Sequence, residues 1–96
     1  MRFEVRQTAQ NDLSDIATYI ARDNPERSVT FIEDLLGRIE TVFERPLSFP
    51  ARSEFGAGIR SAVHGRYLIL FRVSESLVEV LRVLHGTRDI DSLLEP

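Results

Sequence analysis

The chain has no cysteine, no tryptophan and no lysine. Without cysteine there is no disulfide framework, no thiolate nucleophile and no cysteine-based zinc site. Without lysine there is no amine general base. All 12 basic residues are arginines, which stay protonated and present a planar fork to carboxylates or phosphates. The plainer account of this bias is genomic base composition rather than function. Only two histidines are present, far apart and without ligand spacing, so no metal site is expected. There is no glycine-rich phosphate loop and no Ser-His-Asp arrangement. No apolar run reaches membrane-spanning length, and the N-terminus lacks a basic-then-apolar signal pattern. The expected compartment is the cytoplasm, with no membrane partner. A formal charge of −3 and a pI near 5.3 argue against direct high-affinity binding to nucleic acid, where a basic face supplies most of the affinity.

The chain does have the composition of a folded domain. Hydrophobic residues make up 43% and charged residues 28% of 96 positions, which reads as one domain over residues 1–96 with a modest core. A chain of this size buries somewhat over ~60% of its unfolded surface. Arg2 to Arg6 alternates, with Phe3 and Val5 opposite Glu4 and Arg6, and reads as a short half-exposed strand. Thr8 is placed to cap a helix whose apolar stripe is Leu13, Ile16, Ala17 and Ile20, with Asp12, Asp15 and Arg22 outside it. Asn24-Pro25-Glu26 supplies an N-cap, a proline at N1 and a first-turn acid for a second helix. Val29, Ile32, Leu36, Ile39 and Phe43 form its stripe, widened by Leu35 and Val42, and Pro46 ends it. So short a join makes the two helices an antiparallel hairpin.

Residues 46–58 form a loop with two prolines and two glycines. Ile59 to His64 and Arg66 to Val73 then read as a hairpin around Gly65. Arg60, Ala62, Tyr67, Ile69 and Phe71 fall on one face; Ile59, Ser61, Val63, Leu68 and Leu70 fall on the other. Ser74-Glu75-Ser76 leads to a last strand, Leu77 to His85. Gly86 breaks it, and Thr87 is placed to cap a final helical turn carrying Ile90, Leu93 and Leu94. The expected fold is α+β: an N-terminal strand, an α-helical hairpin, a mostly antiparallel three-stranded meander and a short C-terminal helix. The two central strands are apolar on both faces. One helix hairpin covers only one face, so a partner, the C-terminal turn or a second copy is expected on the other.

The run Val80-Leu81-Arg82-Val83-Leu84-His85-Gly86-Thr87-Arg88-Asp89 carries the most information. An apolar strand with one arginine must give that charge a partner or an open groove. Arg82-Val83-Leu84-His85-Gly86-Thr87-Arg88-Asp89 resembles the C-terminal motif of the RelE/ParE toxin superfamily, nearest its ParE branch. The segments Asp12 to Ile20, Gly58-Ile59-Arg60-Ser61 and Arg66 to Val73 resemble the same superfamily in the same order, over nearly the whole chain. The resemblance implies the toxin of a type II toxin–antitoxin system that inhibits DNA gyrase by protein contact. It would be neutralised by a ParD-like antitoxin in a hetero-oligomer, without a cofactor. The RelE branch implies instead a ribosome-dependent mRNA endoribonuclease with a strongly basic groove, often with lysines; this chain departs from that branch in net charge and in lacking lysine. A third reading is a non-toxic binding domain on the same fold.

No ParE motif residue is a catalyst to carry over, so no catalytic residue is assigned. A ribonuclease would need a base, an acid and a cation around the scissile phosphate; His85, Arg82, Tyr67 and Arg60 are the candidates, with His64 and Glu79 nearby in the pattern. The plain alternatives are a turn-stabilising His85, a hairpin-loop His64 and a core Tyr67 with its hydroxyl at the rim. By strand parity His85 goes with Glu79, and Arg82 faces away from both. Arg60 and Arg82 interrupt apolar patterns, and either pair with Glu79 or Glu4 or await an acidic partner. For antitoxin or target binding the candidates are Arg60, Tyr67, Arg82, His85, Arg88, Leu93 and Leu94.

Overall fold

The computed structural model describes residues 1–87 and Asp89. A strand β1 (Arg2–Val5) leads into two helices, α1 (Gln7–Ala21) and α2 (Pro25–Glu44). Three strands follow: β2 (Ile59–His64), β3 (Tyr67–Val73) and β4 (Leu77–His85). The strands form one sheet in the order β1-β4-β3-β2. The meander β2-β3-β4 is antiparallel, and β1 joins β4 in parallel after the chain has crossed through both helices. This is the expected α+β architecture. The short C-terminal helix, with Arg88, Leu93 and Leu94, lies outside the described residues.

Local chemistry explains the boundaries. The Asn24 side chain accepts a hydrogen bond from the Arg27 N–H at 3.1 Å, and Pro25 occupies the first turn of α2; the sequence marks this start correctly. Thr8 does not cap α1. The position before that helix is Arg6, with no side-chain cap, and the Thr8 hydroxyl instead donates to the Leu81 carbonyl at 2.7 Å. Gly65 has φ of 58° at the first position of the two-residue β2–β3 turn, where a residue free of a Cβ clash is favoured. Arg66 lies in that turn rather than in β3.

The main core fills the space between the helices and one sheet face. Ala9 and Ile16 of α1 and Leu35, Ile39 and Val42 of α2 meet Ala62, Ile69, Phe71, Val78, Val80 and Val83. The stripe of α2 is rotated from the expected one. Leu35, Ile39 and Val42 are its buried centre, and Ser28 is buried by donating its hydroxyl to the Ala17 carbonyl at 2.7 Å. Val29 and Leu36, which the periodicity places inside, are 59% and 46% exposed. A stripe wider than one helix face cannot all turn inward, and the α1 contact selects which side does.

The opposite sheet face carries a smaller cluster of Ile59, Leu70 and Leu84, packed by Phe55, Leu68 and Leu81. Part of its cover therefore comes from the 46–58 loop, a source the sequence pattern did not suggest. The loop folds into two 3-10 turns, Pro46–Ser48 and Ser53–Phe55. It is tied to β2 by an Ala51–Arg60 bridge and by the bonds Arg52 N–H to Ile59 O and Ser61 N–H to Pro50 O. In the second turn a backbone hydrogen bond and the Arg52 side chain, 3.0 Å away, hold the Glu54 carboxyl below its usual range.

Gly58 stands where the loop enters β2, with φ of 75°, and a Cβ there would lie 3.2 Å from the Val73 carbonyl oxygen. Gly58→Ala is expected to destabilise the chain by about 1–3 kcal/mol, the usual cost of forcing a side chain into this region. Urea unfolding of the two proteins measures it.

Candidate functional site

The region around Arg82 is built by an irregularity in β4. Phe71 pairs with Val80 and Leu70 with Arg82, so the register shifts by one and Leu81 is the extra residue. This β-bulge resets the alternation of side chains. Val83 and His85 lie opposite Ile69 and Tyr67, on the face that packs against the helices, whereas Glu79 pairs with Arg72. The expected parity is thereby corrected: His85 and Glu79 are on opposite faces.

The same irregularity falls where β1 stops. β1 pairs with β4 only over Leu77–Val80, and α1 takes over the exposed strand edge. The Arg6 N–H donates to the Val80 carbonyl, the Thr8 hydroxyl to the Leu81 carbonyl, and the Val83 N–H to Asp12 Oδ2 at 2.9 Å. Arg82 then closes a two-pronged pair on the same carboxylate, with Nε to Oδ2 at 2.8 Å and Nη2 to Oδ1 at 3.0 Å. Hydrogen bonding to Asp12, with the charges of Asp12 and Asp89, raises the Arg82 pKa against the opposing effect of burial. Forked pairs of this kind are among the stronger charge-assisted hydrogen bonds.

Neither of the carboxylates considered for Arg82 is its partner. Glu79 is shared by Arg6 at 3.4 Å and Arg72 at 3.7 Å, and Glu4 pairs with Arg2 at 2.8 Å. Arg60 also departs from expectation. Its Nη1 donates to the Phe49 carbonyl at 2.6 Å, which links β2 to the preceding loop. Both arginines that interrupt apolar strands thus have partners within the chain.

Tyr67 and His85 do come together. They are cross-strand partners with ring centroids 5.4 Å apart at 85°, and His64, also opposite Tyr67, sits 5.4 Å from the Phe31 ring. His64 is the last residue of β2, not a turn residue. Tyr67 is buried at 9% exposure, and Phe31 packs on it at 5.6 Å. Arg60 stands at the other end of the hairpin, opposite Phe71. The four residues proposed for a ribonuclease therefore divide: Tyr67 and His85 adjoin, Arg82 lines a hollow that includes Tyr67 but is clamped by Asp12, and Arg60 is remote. Two hollows share Tyr19 and Tyr67. One holds Asp12, Asp15, Arg22, Arg82 and Asp89; the other holds Ile20, Arg27, Phe31, Arg66 and His85.

Sequence reasoning missed Asp12, Tyr19, Arg22, Arg27 and Arg66 as site residues. Asp12 had a usable signal: it is three residues after Ala9 and four before Ile16, so it flanks the buried stripe of α1. Among the described residues no group of acidic and imidazole side chains could hold a metal ion, and no helix is long and apolar enough to cross a membrane.

This fold recurs in solved toxin–antitoxin structures. A chain of the chromosomal ParDE toxin–antitoxin system of P. aeruginosa superposes with a TM-score of 0.78 at 18% identity, covering 88% of this chain and 95% of that one. A chain of the toxin–antitoxin complex RelBE2 of Mycobacterium tuberculosis gives 0.57 at 27% identity, with the same coverage of 88% and 95%. The architecture is that of the RelE/ParE toxins. No curated protein matches the sequence. The profile of the ParE toxin of type II toxin–antitoxin systems, parDE, matches residues 3–90, and the chain belongs to that family.

Proposed function

We propose that this ParE-type toxin acts by direct contact with DNA gyrase and is held inactive by a ParD-like antitoxin in a cytoplasmic hetero-oligomer. The family match over residues 3–90 supports the toxin role. The observation that carries the choice of contact over catalysis is the engagement of the two strand arginines. A nuclease needs cations free to meet a developing phosphorane charge, and here Arg82 is forked onto Asp12 while Arg60 is bonded to the Phe49 carbonyl. The acidic balance of the chain points the same way. Tyr67 and His85, with Arg88, Leu93 and Leu94 of the tail, remain the proposed contact residues for antitoxin or target. Arg60 and Arg82 contribute by holding the sheet that presents them.

Exposed Val29, Leu36, Leu47 and Val63 leave apolar surface that a bound antitoxin would cover. Binding to the folded state alone then stabilises the toxin by mass action. The test is induction of the chain in cells without and with the protein encoded beside it. Plasmid topology and message integrity are followed in the same culture. Trapped double-strand breaks with intact messages, suppressed by the neighbouring protein, are expected. Message cleavage with intact DNA would transfer the assignment to a ribonuclease. Growth unaffected in both cultures would leave a non-toxic binding domain.

A further inference from the structure

The hollow between the end of α1, the start of α2 and the Gly65–Arg66 turn has a volume of about 470 Å³. Its lining combines Ile20, Phe31 and the Tyr67 ring with two guanidiniums, Arg27 and Arg66. Arg27 is partly committed, lying 5.1 Å from the Phe31 ring centroid and 3.8 Å from the Asp34 carboxylate. Arg66 is not. Among the described arginines, only the side chains of Arg22, Arg45 and Arg66 make no hydrogen bond, ion pair or ring contact. The other arginines are held by carboxylates, carbonyls or rings.

Two of those three stand at this end of the molecule. Arg66 lines the apolar hollow, and Arg22 lines the adjoining one across the shared wall of Tyr19 and Tyr67. A solvated arginine needs no ligand, and Arg45 is such a case. An uncommitted guanidinium at the mouth of an apolar, aromatic-walled hollow matches a ligand that brings an apolar group and an anionic group together.

The surroundings decide the class of ligand. Asp12, Asp15 and Asp89 line the hollow next to Arg22, and Asp34 stands beside Arg27. A nucleic-acid strand laid across both hollows would bring its phosphates against these carboxylates in a chain already carrying −3. A peptide delivers one or two carboxylates at chosen points and an apolar side chain between them. We propose that this cleft is the docking site for a short acidic–apolar segment of the antitoxin, its apolar side chain against Phe31 and Tyr67 and its carboxylate on Arg66. A second acid, toward Arg22, would straddle Tyr19. This inference rests on the toxin–antitoxin reading and specifies where one of the partner's anchors lies.

Arg22 and Arg66 are both exposed, so reversing their charge leaves the core intact. The full chain, its Arg22→Glu/Arg66→Glu double variant and an Arg45→Glu control are each titrated against the protein encoded beside it. The double variant is expected to bind about tenfold more weakly or worse, a loss of about 1.4 kcal/mol, with Arg45→Glu unchanged. In the wild-type complex the amides of Gly65 to Tyr67 should gain protection from hydrogen exchange. Unchanged affinity of the double variant overturns the proposed cleft and leaves the toxin–antitoxin reading standing. An equal loss in Arg45→Glu also overturns it, since the effect would then be general charge. A neighbouring protein that does not bind wild type at all removes both readings. A uridine decamer bound in an Arg66-dependent manner would reassign the cleft to nucleic acid.

Discussion

Asp12→Ala is expected to destabilise the protein by about 2–3 kcal/mol, more than Arg82→Ala, although the two residues share one ion pair. The asymmetry follows from what each side chain does. Asp12 accepts three hydrogen bonds, two from the Arg82 guanidinium and one from the Val83 N–H. Truncating it leaves a backbone donor without a partner at a strand edge and a guanidinium beside a vacated carboxylate site. Breaking a fully buried pair from one side costs about 3–5 kcal/mol, but the Arg82 side chain is 41% exposed and the Asp12 side chain 14%. Solvent screening therefore reduces the figure.

Arg82→Ala removes only the charged fork. Asp12 keeps the Val83 bond and turns its other oxygen to water, so about 1–2 kcal/mol is expected, near the value of one charge-assisted hydrogen bond. Asp12→Asn should fall below Asp12→Ala in cost, because its amide oxygen still accepts from Val83. Urea unfolding of the three variants gives the order directly. An Asp12→Ala protein within 0.5 kcal/mol of wild type would mean that α1 is held on β4 by apolar packing alone.

That pair also marks where sequence reading stopped. The elements with local signals were legible. Asn24-Pro25 starts α2 and Pro46 follows its end, Gly65 fixes the hairpin turn, and the two faces of β2 and β3 follow from alternation alone. The bulge at Leu81 was not legible, because no glycine or break in apolar character distinguishes it from its neighbours. One extra residue was enough to place His85 on the wrong face relative to Glu79. The partner of Arg82 is 70 positions away, beyond any periodicity, and was set by α1 running past the end of β1. The exposure of Val29 and Leu36 came from the helix–helix contact, which a single-helix pattern does not contain. The site suffered more than the fold for this reason. Elements are specified by neighbours in sequence, whereas Tyr67, His85, Asp12 and Arg82 are brought into relation by strand register.

Toxicity after His85→Gln separates contact from catalysis with the largest expected contrast. A general acid or base contributes about 10²–10⁴-fold in rate, so a ribonuclease that used His85 would lose nearly all activity. The structure gives His85 other work. Its ring meets Tyr67 edge-on at 5.4 Å, and its backbone N–H donates to Asp89 Oδ2 at 2.7 Å. The backbone bond is indifferent to the side chain, and glutamine retains approximate size and hydrogen-bonding capacity at the rim of β4. His85→Gln is accordingly expected to stay folded and to retain toxicity within a few-fold. The measurement is surviving cell count after induction at matched protein levels, with antitoxin binding as the check on folding. Tyr67→Phe provides the companion measurement: the ring that Phe31 packs on remains, so the core is kept while a hydroxyl needed for proton transfer is lost. Retained killing by both variants fits a surface that acts by shape and charge. A His85→Gln protein that binds antitoxin normally but no longer kills would place the imidazole at a reacting phosphate, and the ribonuclease reading would replace the gyrase one.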